Sequence, residues 1–210
     1  MHTDLFQHEP RPELSTPRVY DLPDGSLLEF PQALTAREAD DLFARLREAL
    51  PWEQAHIRIA GRVLPIPRLQ CWIGDPDTSY GYSGIRMQPL PWPDCLSDVR
   101  HLVKRLAGQD FNSVLANYYR TGQDSVSWHS DNEPEMGPMA VVASLSLGAT
   151  RTFELRHKTR RELGKKSLPL QHGSLLIMGE GTQNNWLHQV PKEKHVDGSR
   201  INLTFRRIVS

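Results

Sequence analysis

"RINLTFR" (residues 200–206) alternates residue by residue: Ile201, Leu203 and Phe205 are apolar, while Arg200, Asn202, Thr204 and Arg206 are polar. A period of two is that of an extended strand, so one face of this segment enters a core and the other gathers four polar groups. That polar face either meets water or forms the wall of a site. Upstream, "SVLANYY" (113–119), "AVVASLSL" (140–147), "RTFELRH" (151–157), "GSLLIMG" (173–179) and "WLHQVP" (186–191) are further short strand-like runs separated by turn residues. Ahead of this block the period changes. Thr35 and Glu38 make a capping box, and Ala39, Leu42, Phe43 and Leu46 recur at helical spacing. A second helix is read from Ser97 to Leu106, with Val99, Leu102, Val103 and Leu106 on one face and Gly108 as its stop. Residues 51–95, rich in Pro, Gly, Trp and Tyr, read as short strands and loops. Two helices feeding many short strands predict an α+β chain, with the helices packed on one sheet of a double-sheet core.

The 210 residues suffice for one domain with a buried core, read over 18–210, after a loose proline-containing arm at 1–17. Lys plus Arg and Asp plus Glu are both 25, so any attraction to nucleic acid must come from local clusters. Cys71 and Cys95 are the two cysteines, which excludes a disulfide scaffold and a thiolate zinc site. The apolar run "SLLIM" (174–178) is far too short to span a bilayer, and the N-terminal stretch has no secretion pattern. The expectation is a soluble, monomeric, cytoplasmic protein with no membrane contact, nucleoid-associated in a bacterium or nuclear in a eukaryote.

In "SVSWHSDNEPEMG" (125–137), His129 and Asp131 stand two apart in a run that begins like a strand, so both point to one side. One imidazole and one carboxylate are two-thirds of the facial site that holds non-haem Fe(II); equally, an Asp can orient a neighbouring His. Of nine histidines, His2, His8 and His195 read as solvated, His56 and His101 precede the strand block, and His157 lies in a basic hairpin. His172 abuts a Gly-Ser turn, whereas His188 sits on a short strand close to the Arg200 strand, making it the better third ligand. Arg200 and Arg206 then bracket Asn202 and Thr204 as a cradle for a dicarboxylate, and 2-oxoglutarate is the dicarboxylate that non-haem Fe(II) enzymes use. A metal held between two sheets favours a double-stranded β-helix, the jelly roll.

"NYYRTGQDSVSWHSDNEP", "SLSLGATRTFELRHK", "GSLLIMGEGTQNNWLH" and "RINLTFRRI" together resemble the AlkB family of Fe(II)/2-oxoglutarate-dependent dioxygenases, over about residues 60–209. The resemblance is greatest to members that repair alkylated nucleic-acid bases. It implies that His129, Asp131 and His188 bind Fe(II), and that Arg200 and Arg206 pair the carboxylates of 2-oxoglutarate with help from Asn117, Tyr119 and Asn202. It further implies oxidative demethylation of 1-methyladenine and 3-methylcytosine in DNA or RNA, consuming O2 and releasing formaldehyde, succinate and CO2. Residues 58–95 would be the nucleotide-recognition segment and 111–209 the catalytic jelly roll. By the same likeness, Tyr82 would stack on the flipped base opposite His129, with Tyr80 as a hydroxyl partner; Glu133, two after Asp131, is placed either to accept from an exocyclic amino group or as a surface acid.

"RTFELRHKTRRELGKKS" (151–167) holds seven Lys or Arg against two Glu and reads as a hairpin whose Arg151, Arg160 and Arg161 track phosphates. Where duplex-acting relatives carry a bulky aromatic wedge, "RIAGRV" (58–63) offers Ile59, Ala60 and Gly61, so single-stranded DNA or RNA fits this chain at least as well as duplex. The competing readings are a dioxygenase acting on modified RNA or a small molecule, and a non-catalytic metal-holding β-sandwich that binds nucleic acid.

Overall fold

The computed structural model describes residues 16–209 except 60, 79, 83 and 84, with backbone alone at 59, 80–82 and 85–87. The arm expected at 1–17 therefore lies almost wholly outside the described residues.

The first strands are β1 (Arg18–Tyr20) and β2 (Leu27–Phe30), followed by helix α1 (Ala36–Ala49). Thr35 caps α1: its hydroxyl accepts from the Glu38 N–H while the Glu38 carboxylate accepts from the Thr35 N–H at 2.7 Å. Two hairpins and a longer strand come next: β3 (His56–Ile59) with β4 (Arg62–Pro65), β5 (Leu69–Gly74), and β6 (Tyr80–Tyr82) with β7 (Ile85–Met87). Helix α2 (Ser97–Ala107) ends where Gly108 takes φ 70°, a left-handed conformation that a side chain disfavours.

Eight strands then follow: β8 (Ser113–Tyr119), β9 (Val126–His129), β10 (Val142–Gly148), β11 (Arg151–His157), β12 (Lys165–Leu170), β13 (Leu175–Met178), β14 (Trp186–Val190) and β15 (Arg200–Arg206). A short helix, α3 (Thr182–Asn185), precedes β14. Seven strands form one antiparallel sheet in the order β1-β2-β13-β10-β15-β8-β5, and four form a second in the order β12-β11-β14-β9. The last eight strands change sheet at every step except the β11–β12 hairpin, the jelly-roll pattern. Pro169, which cannot donate to a ladder, sits in β12 at a sheet edge.

Alternation assigns the two faces of the larger sheet. Ile201, Leu203 and Phe205 share a core with Val114, Ala116, Ala143 and Leu145, and with Ala39, Leu42 and Leu46 of α1 and Val99, Leu102 and Val103 of α2. The opposite face joins the second sheet through a separate core: Trp72, Leu115, Val142 and Leu176 with Phe153, Leu155, Trp186 and Val190. All seven residues of β15 are buried, so its polar face lies between the sheets and not in water.

The β8–β9 loop is pinned to the β14–β15 loop. The Gly122 N–H donates to Val196 O at 2.7 Å, and the Glu193 N–H donates to Gly122 O at 2.8 Å. A Cβ on Gly122 would lie 1.9 Å from the Glu193 carbonyl oxygen, so no side chain fits without moving a loop. Gly122→Ala is expected to cost about 1–3 kcal/mol by overpacking, read as a lower midpoint in chemical denaturation with an unchanged slope.

Candidate metal and co-substrate site

Two neighbouring strands bring the imidazoles together. On β9 and β14, His129 and His188 are directly opposite partners in the antiparallel register. Cross-strand partners on one face are near contacts, and the ring centroids lie 4.3 Å apart. The strand ends at His129, however, so Asp131 is not carried by β9 as its spacing suggested. Instead its backbone N–H donates to Gln183 Oε1 of α3 at 2.9 Å, and Arg206 Nη2 holds its Oδ2 at 3.0 Å. Gln183 escaped the sequence reading because no pattern marks a side chain that acts through one backbone amide.

The ligand atoms of His129, Asp131 and His188 lie within 4.8 Å of one another, a set that could hold a metal ion. The Ser127 carbonyl is 2.8 Å from His129 Nδ1; a carbonyl only accepts, so Nδ1 carries the proton and Nε2 presents a lone pair. That Nε2 faces Asp131 Oδ1 at 3.9 Å, and Oδ1, like His188 Nδ1, is buried without a hydrogen-bond partner. Burial and the neighbouring His129 pull His188 down to about 3, and burial lowers His129 as well, so both rings are neutral donors near pH 7. Burial pushes the Asp131 carboxyl up, but Arg206 and the two imidazoles outweigh it and hold it at about 2. Two neutral imidazoles and one carboxylate fit Fe(II).

The even-numbered residues of β15 line the same cavity as these three, together with Asn117 and Tyr119 of β8. In register, Tyr119 is opposite Arg200 and Asn117 opposite Asn202. Arg200 is 1 % exposed; its Nη2 donates to Ser146 Oγ at 2.9 Å, while Nε and Nη1 have no hydrogen-bond partner. Burial lowers its guanidinium to about 10, opposed by Tyr119, whose ring it overlies at 5.2 Å. It is charged near pH 7, with no carboxylate within 4 Å among the described residues. A buried cation of this kind calls for an anion. Asn202 corrects the sequence reading in part: Nδ2 already donates to Ser144 Oγ and to Leu145 O, and Oδ1 accepts from Thr204 Oγ1. Asn202 thus ties β15 to β10, and Thr204 holds Asn202, in addition to lining the cavity.

His172, the rival third ligand, accepts from the Gly148 N–H and faces Asp40 at 3.2 Å, so it is spent on structure. Arg151 is a correction. It is 1 % exposed, donates to Glu193 at 2.8 Å and to the carbonyls of Asp124, Thr121 and Pro191, and cannot track a phosphate. Its strand position, even with the inward-facing Phe153 and Leu155, was the missed signal. Arg160 pairs with Asp24 and Glu162 at the surface, Lys165 bonds Glu154, and Arg161 is exposed with no ion pair among the described residues. Glu133 is half-buried just before the turn at 134–136. Tyr80 and Tyr82 lie on the β6–β7 hairpin, and their side chains, like the tip residue Ala60, are outside the described residues.

The model of the 2OG-Fe(II) oxygenase superfamily matches residues 26–206. Human DNA oxidative demethylase ALKBH2 is 38 % identical over 181 residues, which cover 82 % of this chain and 69 % of that protein. The chain belongs to the AlkB family. Rat alpha-ketoglutarate-dependent dioxygenase alkB homolog 3 is 42 % identical over 187 residues, covering 85 % of this AlkB-family chain and 63 % of the rat protein, so the chain spans under two thirds of that relative. A solved structure of OsALKBH1 shares the fold at a TM-score of 0.63 and 19 % identity, covering 90 % of this chain and all of that one. A 2OG-Fe(II) oxygenase family oxidoreductase from Burkholderia pseudomallei does so at 0.58 and 14 %, covering 88 % of this chain and 87 % of that one. AlkB-family membership implies Fe(II), 2-oxoglutarate and O2. Among the described residues, no helix is long and apolar enough to cross a membrane.

Removing Arg151 leaves the Glu193 carboxylate, 14 % exposed, without its ion-pair partner, with the Thr152 N–H and hydroxyl as its remaining donors. Arg151→Ala is expected to cost about 3 kcal/mol or more, whereas Arg161→Ala should stay within about 0.5 kcal/mol of the parent; denaturation midpoints of the two variants check this.

Proposed function

We propose that this chain is an Fe(II)/2-oxoglutarate-dependent dioxygenase that removes N-alkyl groups from nucleic-acid bases, with 1-methyladenine and 3-methylcytosine as substrates. The observation that carries the reading is one face of β15, where a buried guanidinium without a carboxylate (Arg200) stands six residues from the one that grips the His-Asp-His set (Arg206). Six residues of strand span ~20 Å, and both side chains lean inward along it: Arg200 bonds Ser146, opposite Asn202, and Arg206 Nη1 donates to Thr204 O. A binding module without catalysis has no use for that arrangement.

In this reading His129, Asp131 and His188 would hold Fe(II), three protein ligands being the number that leaves room for a co-substrate. When bound, iron, 2-oxoglutarate and O2 together supply the oxidation of the N-alkyl carbon, which leaves as formaldehyde, with succinate and CO2 as co-products. Arg200 takes the carboxylate far from the metal, with Tyr119 beside it. Arg206, already against Asp131, sets the charge at the near end, and Asn117 and Thr204 line the space between. Bidentate guanidinium contacts fix the dianion before any reaction. The helices behind the larger sheet serve as a rigid backing for β15. His129, 23 % exposed, marks the mouth, where Tyr82, Tyr80 and Glu133 receive the base. With Arg151 and Arg160 engaged elsewhere, Arg161 remains from that trio as a phosphate contact. The β3–β4 tip sequence Ile59-Ala60-Gly61 carries no aromatic to fill the gap a flipped base leaves, so extraction from a duplex is poorly compensated.

The test is formaldehyde release from methylated oligonucleotides. Release should require both Fe(II) and 2-oxoglutarate, and proceed faster on single strands than on duplex. Asp131→Ala should lower it by at least ~100-fold while circular dichroism stays that of a folded chain. Release that continues without 2-oxoglutarate would falsify the reading.

In Arg200→Ala the apparent 2-oxoglutarate requirement should rise roughly tenfold or more, the loss of one charge-assisted contact, with the oligonucleotide requirement little changed. An unaltered 2-oxoglutarate dependence would remove Arg200 from the cradle.

A further inference from the structure

Nothing in the sequence singles out Arg68, the residue just ahead of β5. The structure buries it to 4 % exposure in the wall of the site cavity. Its Nε donates to Asn117 Oδ1 at 2.7 Å and its Nη1 reaches the Ser125 carbonyl at 3.4 Å. Three buried guanidiniums line this cavity, those of Arg68, Arg200 and Arg206, with the single carboxylate of Asp131; the buried Arg151 lies behind them, over the Tyr119 ring. Arg151 pairs with Glu193 and Arg206 with Asp131, while Arg68 and Arg200 have no carboxylate within 4 Å among the described residues. Arg68 therefore contributes one of two uncompensated buried charges, at the end of the cavity occupied by Asn117.

The bond to Asn117 has a direction. A carboxamide can turn either way, but a guanidinium has donors and no acceptor, so it tolerates the amide oxygen alone. Arg68 thus dictates which end of Asn117 faces it and which end is left over. The leftover end is Nδ2, which donates to no described residue, on a side chain that is 6 % exposed and lines the cavity.

We propose that Arg68 is a positioning residue for the co-substrate: it locks the Asn117 carboxamide so that Nδ2 donates to a 2-oxoglutarate carboxylate. This rests on the reading of Asn117 as a co-substrate contact. Donor-only chemistry, not arginine shape, is the property required. Lysine meets it, because an ammonium also lacks an acceptor, whereas glutamine does not, because its own amide can present either end.

Calorimetric titration of 2-oxoglutarate into the Mn(II)-loaded protein reads this without turnover. Arg68→Gln should weaken the 2-oxoglutarate Kd roughly five- to tenfold, and Arg68→Lys should keep it within about twofold. Asn117→Ala should weaken binding to a similar degree, and Arg68→Gln added to it should cause no further loss, because both act through one contact. Additive losses, or a lysine variant as impaired as the glutamine one, overturn the proposal. So does a loss confined to oligonucleotide affinity, which would make Arg68 a nucleic-acid contact. If Asn117→Ala leaves the Kd unchanged, the assignment of Asn117 falls and this proposal with it; if Asn117→Ala weakens binding but Arg68→Gln does not, only the proposal falls.

Discussion

The ion pair between Asp131 and Arg206, 3.0 Å long and buried on both sides, is the contact on which the site depends. Asp131 follows β9 of the smaller sheet, and Arg206 ends β15 of the larger one. Two sheets that otherwise meet through apolar side chains are here joined by charge, and a buried pair tolerates little change of separation. Its two ends serve different partners. One carboxylate oxygen is held by the guanidinium, leaving the other turned toward the imidazoles without a hydrogen bond. The spacing of the sheets and the placement of the metal-ligand set are therefore one constraint.

Around that pair, the division of labour on the larger sheet is strict. One face of β15 is an apolar wall shared with both helices, and the other is a row of polar groups on which the smaller sheet closes. The polar groups are affordable because most are satisfied locally: Asn202 bonds β10 and accepts from Thr204, and Arg151 is surrounded by Glu193 and three carbonyls. Among the groups that line the cavity, Arg200 Nε and Nη1, Asp131 Oδ1 and His188 Nδ1 are buried without a hydrogen-bond partner among the described residues. Buried polar groups are normally paired, so the exceptions draw the outline of what belongs there.

The strands and helices were legible because their periods are strong: "RTFELRH" and "RINLTFR" coincide with β11 and β15, and the Thr35 box and Gly108 mark helix ends. His129, Asp131 and His188 were legible from residue type and order, and they come together in space. Asp131, though, reaches its place through Gln183 and Arg206, not through strand alternation. The hairpin at 151–167 misled because counting charges ignores which face each occupies; Arg151 alternates inward with Phe153 and Leu155. Arg68 was invisible for the converse reason, since a lone arginine in a proline-rich loop has no period, and its meaning comes from a partner 49 residues away.

Both faces of β15 are committed, and this makes the strand intolerant of a change in parity. Its seven residues are opposed one for one by Ser113–Tyr119 on β8, and six of them by Ala143–Gly148 on β10. A single residue inserted or deleted within it would exchange the faces, sending guanidiniums into the helix-backed core and Ile201, Leu203 and Phe205 into the metal cavity. A substitution in this strand can abolish chemistry and spare the fold; a shift of frame by one residue can spare neither. Along β15, descendants of this sequence can therefore explore only replacement, position by position.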